Sequence, residues 1–274
     1  GVYITYRVLD IADLTVEGSF PLGAAVAASL LAGGYSPWLA FGAAMLAGML
    51  AGVATGLLHT KLKIPALLAG ILTMIALYSV NLRVMGKANL SLLRVDTVFS
   101  IMRDIGGFSN AQAVLCVGIV SSFLIGGLIY WFFGTEIGAA IRATGFNPQM
   151  IRAQGVDTNF TIILGLLISN ALVALSGALV AQNNGFADVG MGTGTIVIGL
   201  ASVIIGEVLF GTRSFKNCII SVVLGSIVYR LVIAAVLQMG MPPNDLKLFT
   251  AILVAFALSL PLIKSKLGLR KAVK

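Results

Sequence analysis

Long apolar runs dominate this chain, and their length leaves few folds open. Stretches near 1–11, 18–34, 37–58, 64–82, 111–133, 158–181, 195–211, 215–239 and 247–263 carry almost no charge. A helix needs about 20 apolar residues to cross a bilayer. Only 10% of the 274 residues are charged and 58% are hydrophobic, whereas a soluble domain carries roughly 25% charged residues. Each span satisfies its own backbone hydrogen bonds as a helix. The expected fold is all-α: a polytopic transmembrane helix bundle of about 8–10 spans. It is read as a single domain over 1–274. The chain opens on Gly1 inside the apolar run VYITYRVL, so the first span is read as incomplete at its N-terminal end. The 32 glycines fit such a bundle, because small residues let helices approach closely in lipid.

The net charge of +8 matches the excess of Lys and Arg that cytoplasmic loops collect. It does not suggest nucleic acid, since no basic stripe has interleaved aromatics. Cys116 and Cys218 lie in apolar stretches and read as small hydrophobes. No metal-ligand spacing exists, and His59 has no partner in the sequence. Between residues 90 and 107, Leu92, Val95, Phe99, Met102 and Ile105 recur at helical spacing, with Arg94, Asp96, Arg103 and Asp104 between them. That pattern predicts an amphipathic interfacial helix stopped by Gly106-Gly107.

The segment 135–157, GTEIGAAIRATGFNPQMIRAQGV from its preceding glycine, is the one long polar interruption in the second half. It reads as two short helices. Thr135 caps the first and Gly145 ends it in a left-handed turn. Asn147 caps the second, Pro148 takes its first position and Gly155 closes it. Glu136, Arg142, Asn147, Gln149 and Arg152 form its polar face, and Ile137, Ile141, Met150 and Ile151 its apolar knobs. Such a pair fits a groove on a partner; an ordinary interfacial loop packed on the bundle is the competing reading. With this loop cytoplasmic, alternating spans put Lys61, Lys63, Arg213, Lys216 and the tail lysines on its side. Arg83, Lys87, Arg94, Arg103 and Lys247 fall opposite, and that imbalance supports the orientation.

Two further constellations stand out. In DIADLTVEGSFPLG, 10–23, Asp13, Thr15, Glu17 and Ser19 sit between apolar runs, and Gly18, Pro21 and Gly23 are read as breaking any regular helix. A broken helix lining a pathway and a surface inter-helical turn both fit. Glu207 and Arg230 are isolated charges within spans, hence pathway candidates, with structural anchoring as the alternative. No nucleophile–base pair and no GxxxxGK[ST] phosphate loop occurs, so the chain is not read as an enzyme and holds no nucleotide by that route.

These residues resemble a family. DLTVEGSFPLGAAVAASLLAGG is similar to the signature after the first span in permeases of bacterial ABC importers of the branched-chain amino-acid, ribose and simple-sugar class. GAAIRATGFNPQMIRAQGVD resembles that family's coupling segment, its features falling on Gly138, Arg142-Ala143, Gly145, Asn147 and Gly155-Val156; Pro148 and Arg152 belong to the same stretch. LLISNALVALSGALVAQ resembles the following span, and its Asn170 and Ser176 join the pathway candidates. Singly these motifs are weak; together they are specific. One departure is Gly206-Glu207, where sugar and branched-chain members carry Gly-Gly. With DLTVEGSF it points to the subgroup associated with tryptophan or tyrosine uptake.

The resemblance implies a permease subunit in a bacterial inner membrane. It implies a second permease subunit, read as a homodimer, with the pathway between the two. Cytoplasmic ATPase subunits would hold ATP and Mg and dock on 135–157, and an extracytoplasmic solute-binding protein would deliver a small polar solute. No cofactor is expected on this chain. A stand-alone secondary transporter or channel is the alternative, with Asp13 or Glu17 as ion sites.

Overall fold

The computed structural model describes residues 1–93, 95–107, 109–240, 245, 248–255 and 259. The Lys-rich tail, most of the 239–247 loop, Arg94 and most of the second half of the last expected span lie outside them. Six helices among the described residues are long and apolar enough to cross a membrane. They belong to two compact units, Gly1–Thr195 and Ile196–Lys274.

The first unit opens with a π-helix, Ile4–Val8. There follow α1 (Val16–Ala32), α2 (Pro37–Thr60) and α3 (Ala66–Met85). Strand β1 (Asn89–Ser91), α4 (Val98–Gly106), α5 (Asn110–Phe133), α6 (Glu136–Phe146) and α7 (Pro148–Ala153) come next. The 27-residue α8 (Thr158–Asn184) leads into β2 (Phe186–Asp188) and a 3-10 turn, Val189–Gly192. β1 and β2 pair antiparallel, with Leu90 opposite Ala187.

Small residues set the packing. Gly48, Gly52 and Gly56 recur every fourth position along α2. A Cβ at Gly48 would lie 2.4 Å from the Asn170 carbonyl, and one at Gly52 would lie 2.4 Å from that of Leu166. So α2 meets α8 backbone to backbone, the small-xxx-small arrangement of membrane helices. α1 meets α8 likewise: Gly23 faces the Ala174 carbonyl and Gly177 that of Phe20, each with a Cβ position 1.9 Å away. Ala24, Ala25, Ala27 and Ala28 of α1 are completely buried.

In the second unit α9 (Thr195–Phe210) and α10 (Phe215–Gln238) form a hairpin, and residues 248–255 are helical. Gly206 faces the Ser221 carbonyl and Gly225 that of Ser202. Tyr229, buried on α10, shares a 3.2 Å hydrogen bond with Thr250.

Two local expectations need correction. α1 runs unbroken through Gly18, Pro21 and Gly23. Pro21 has no N–H for the Glu17 carbonyl, and that oxygen instead meets Gly192, where a Cβ would lie 2.0 Å away. The Gly192 backbone packs directly on the carbonyl that Pro21 leaves without a helical donor. The amphipathic helix expected over 90–107 covers only Val98–Gly106. Its start is fixed by a capping box between Thr97 and Ser100, while residues 89–91 are drawn into the ladder with β2. Its end is as expected, with Gly107 left-handed at φ 62°.

Candidate functional site

The polar loop folds into the two helices its punctuation predicts. Thr135 Oγ1 accepts from the Gly138 N–H at 3.3 Å, capping α6. Asn147 Oδ1 accepts from the Met150 N–H at 3.0 Å, capping α7, and Pro148 holds its first position. Gly155 closes the pair at φ 87°.

Gly145 does not end α6 in a left-handed turn. It lies inside the helix, which continues to Phe146. What requires glycine there is proximity: a Cβ would sit 1.9 Å from the Val8 carbonyl oxygen and 2.9 Å from the Leu9 Cα. Gly138 does the same against α5, with 2.3 Å to the Phe132 carbonyl. On the same inward side Ile141, Thr144 and Ile151 are buried. Thr144 and Thr161 share a 2.9 Å hydrogen bond between their hydroxyls. Arg152 Nε donates to Thr158 Oγ1 at 2.6 Å, tying α7 to the first turn of α8. Ile141 and Ile151, expected as outward knobs, therefore face inward.

The outward side is polar with an apolar centre. Glu136, Arg142, Asn147, Pro148, Gln149 and Arg152 are exposed, and Ala143 is half-buried. Ile137 and Met150 are about half exposed, and Phe146 is 92% exposed. The sequence reading overlooked Phe146, although an aromatic residue directly before a capping Asn-Pro pair was a visible signal.

The second set of expected residues meets in the interior of the first unit. Asp13, Thr15, Ser19 and Asn170 are buried and bonded together. Asp13 Oδ1 accepts from the Thr15 N–H at 2.9 Å, and Asp13 Oδ2 accepts from Asn170 Nδ2 at 2.9 Å. Ser19 Oγ donates to Asn170 Oδ1 at 2.6 Å. Thr15 and Thr55 share a hydroxyl bond of 2.7 Å, and Thr55 donates onward to Thr73 at 2.9 Å. Thr55 and Thr73 were not foreseen. A buried carboxylate is tolerated only when its oxygens are filled in this way.

The remaining candidates lie elsewhere. Glu17 is half-buried, and its Oε1 accepts from the Gly194 N–H at 3.0 Å. Ser176 is exposed on α8. In the second unit Glu207 is half-buried near the end of α9, and Arg230 is exposed within the span α10. Among the described residues no cluster of His, Cys, Asp and Glu could hold a metal ion. His59 bonds to the Ile64 carbonyl at 2.8 Å, a local tie at the end of α2.

The first unit is thus an apolar bundle with a helix pair clamped to it. The family described as branched-chain amino acid transport system / permease component matches residues 1–268. This chain belongs to that family. It is a permease subunit of an ATP-binding cassette importer, a multi-pass protein of the bacterial inner membrane and not a catalytic subunit. The permease is 44% identical over 254 residues to a tyrosine transport system permease protein of Clostridioides difficile, covering 93% of this chain and 83% of that one. It is 36% identical to an uncharacterized protein of Rickettsia prowazekii, covering 94% and 91%. Similarity to the D-allose transport system permease protein of Escherichia coli is lower, at 30% over 79% of this chain and 64% of that one. No solved structure matches the permease. The ranking agrees with the subgroup reading drawn from DLTVEGSF and Gly206-Glu207.

Proposed function

We propose that this permease imports an amino acid, of the aromatic class to which tyrosine belongs, and that its α6–α7 pair is the docking site for cytoplasmic ATPase subunits. The observation that carries the reading is the two-sidedness of that pair. One face is fastened to α5, α8 and the N-terminal segment, while the other presents Phe146, Ile137 and Met150 among exposed Arg142, Gln149 and Arg152. An exposed aromatic ringed by polar groups is what a partner's pocket anchors. The distribution of Lys and Arg supports a cytoplasmic position for it. The substrate class is supported by the tyrosine permease being 44% identical.

In this reading residues 1–274 act as one permease domain, two copies enclose the pathway, and a solute-binding protein docks on the opposite side, where β1, β2 and α4 lie. Arg230 and Glu17 are the charges assigned to the pathway. A guanidinium facing hydrocarbon at mid-helix costs about 2.5–3.5 kcal/mol, so the exposed Arg230 belongs on a surface covered by water or by the second copy.

The test is reconstitution. The permease alone in proteoliposomes should show neither ATP hydrolysis nor concentrative uptake of labelled tyrosine. Adding the ATPase and the binding protein should produce both. Proton- or sodium-driven uptake by the permease alone would overturn the reading in favour of a secondary transporter.

A further inference from the structure

Besides α5, the α6–α7 pair rests on two further supports, and those two meet again deeper in the molecule. The first is the N-terminal segment. At Gly145 the α6 backbone lies directly on the Val8 carbonyl, leaving a Cβ position only 1.9 Å away. The second is the start of α8, held by the Thr144–Thr161 bond at 2.9 Å and the Arg152–Thr158 bond at 2.6 Å. Leu9, buried, fills the space between them, with its Cδ1 2.6 Å from where a Cβ of Gly165 on α8 would be. From Val8 the chain turns sharply at Asp10, whose φ is 55°, and reaches Asp13. From Thr161, α8 rises about two and a half turns to Asn170. There Asn170 Nδ2 donates to Asp13 Oδ2 at 2.9 Å and closes the figure. Ser19 Oγ, bonded to Asn170 Oδ1 at 2.6 Å, attaches the first turn of α1 to the same point.

A closed three-sided frame of this kind is stiff. Contacts between side chains absorb displacement by changing rotamer. A backbone-on-backbone contact such as Gly145 on Val8 has no side chain to change, and close-packed interiors transmit strain. We infer that Asp13 and Asn170 are positioning residues for transport: their hydrogen bond closes a frame through which displacement of α6–α7 is delivered to the start of α1. This rests on the reading of α6–α7 as the ATPase dock. Asp13 and Asn170 touch neither nucleotide nor the docking face; they act through the segments they join.

The test uses the complete transporter, with Cys116 and Cys218 replaced by alanine and single spin labels at two exposed positions, Gln149→Cys on α7 and Ala12→Cys just before α1. In the parent, ATP should shift the spectra of both labels. In Asn170→Ala and in Asp13→Ala the Gln149 label should still respond and the Ala12 label should not. Solute imported per ATP should fall about tenfold, the scale of a lost hydrogen bond to a charged group. The exchange Asp13→Asn with Asn170→Asp keeps the bonds to the Thr15 N–H, to Ser19 and between the pair, with the donor now on position 13, but gives up the 3.0 Å bond from Asn170 Nδ2 to the Leu166 carbonyl. It should restore part of the coupling. Ser19→Ala, a milder change, should give a smaller loss in the same direction and serves if the alanine variants at 13 and 170 fail to assemble. An Ala12 label that responds normally in the single variants and in Ser19→Ala overturns the inference while leaving the dock intact. A Gln149 label that ignores ATP in the parent overturns the docking reading itself, and the inference with it.

Discussion

Replacing Gly145 by alanine sets two known effects against each other. In an unencumbered helix Gly→Ala stabilises by about 1 kcal/mol. Here the added methyl would lie 1.9 Å from the Val8 carbonyl oxygen and 2.8 Å from its carbon. Ordinary contact begins at 3.4 Å, so about 1.5 Å of separation has to be made between two backbones in a close-packed region. Overpacking of this kind costs roughly 1–3 kcal/mol, occasionally more, which at least matches the helical gain. The expected net effect is a loss of up to about 2 kcal/mol, expressed as a lower Tm in detergent and reduced ATP-driven uptake. Gly127→Ala on α5 is the internal control, because nothing lies within 4 Å of its Cβ position. It should leave Tm unchanged or raised. Equal behaviour of the two variants, in Tm and in uptake, would refute the claim that Gly145 exists to let α6 touch the N-terminal segment.

Other outcomes follow from the same geometry. Single cysteines at Gln149 and Ala153, both exposed, should react with an impermeant maleimide from the cytoplasmic side only; labelling from outside would remove the proposed dock. Phe146→Ser and Arg142→Glu should weaken co-purification of the ATPase about tenfold or more, as loss of an interface anchor does, with Tm unaltered for Phe146→Ser because its ring is 92% exposed. Thr97→Ala removes the cap of α4 and should cost about 1 kcal/mol, read as faster amide exchange over Val98–Gly106. Arg230→Leu should lower uptake without lowering Tm; full uptake in that variant would take Arg230 off the pathway.

What the sequence disclosed was local. The spans were visible because each is a self-contained apolar run, and α2, α3, α5, α8, α9 and α10 lie within a few residues of the runs that announced them. The caps Thr135 and Asn147, with Pro148 after the second, were visible for the same reason: an N-cap bonds to a backbone group three residues away. What stayed hidden depends on residues far apart in the chain. A glycine near the end of a short helix is most often a left-handed cap, and only the arrival of Val8 makes Gly145 a contact point. Thr55 and Thr73 bond back to the Ala51 and Ala69 carbonyls, as any threonine in a membrane helix can. Nothing in the sequence marks them as also reaching each other, or Thr55 as reaching Thr15. The β1–β2 pair is three residues on each side, too short to leave an alternation. Asp13, Ser19 and Asn170 were suspected individually, but their union was not legible.

The meeting of Pro21, the Glu17 carbonyl and Gly192 has a consequence for how this protein can change over generations. With proline at position 21, the carbonyl one turn earlier has no helical donor, and the backbone of Gly192 lies against it, leaving a Cβ position only 2.0 Å away. A lineage that keeps Pro21 therefore has no side chain open to it at 192. One that replaces Pro21 with a residue bearing an N–H returns that carbonyl to the helix ladder and removes the ring whose Cδ lies 2.7 Å from the same Cβ position, but the carbonyl oxygen itself stays. Position 192 is therefore held to glycine whichever residue stands at 21.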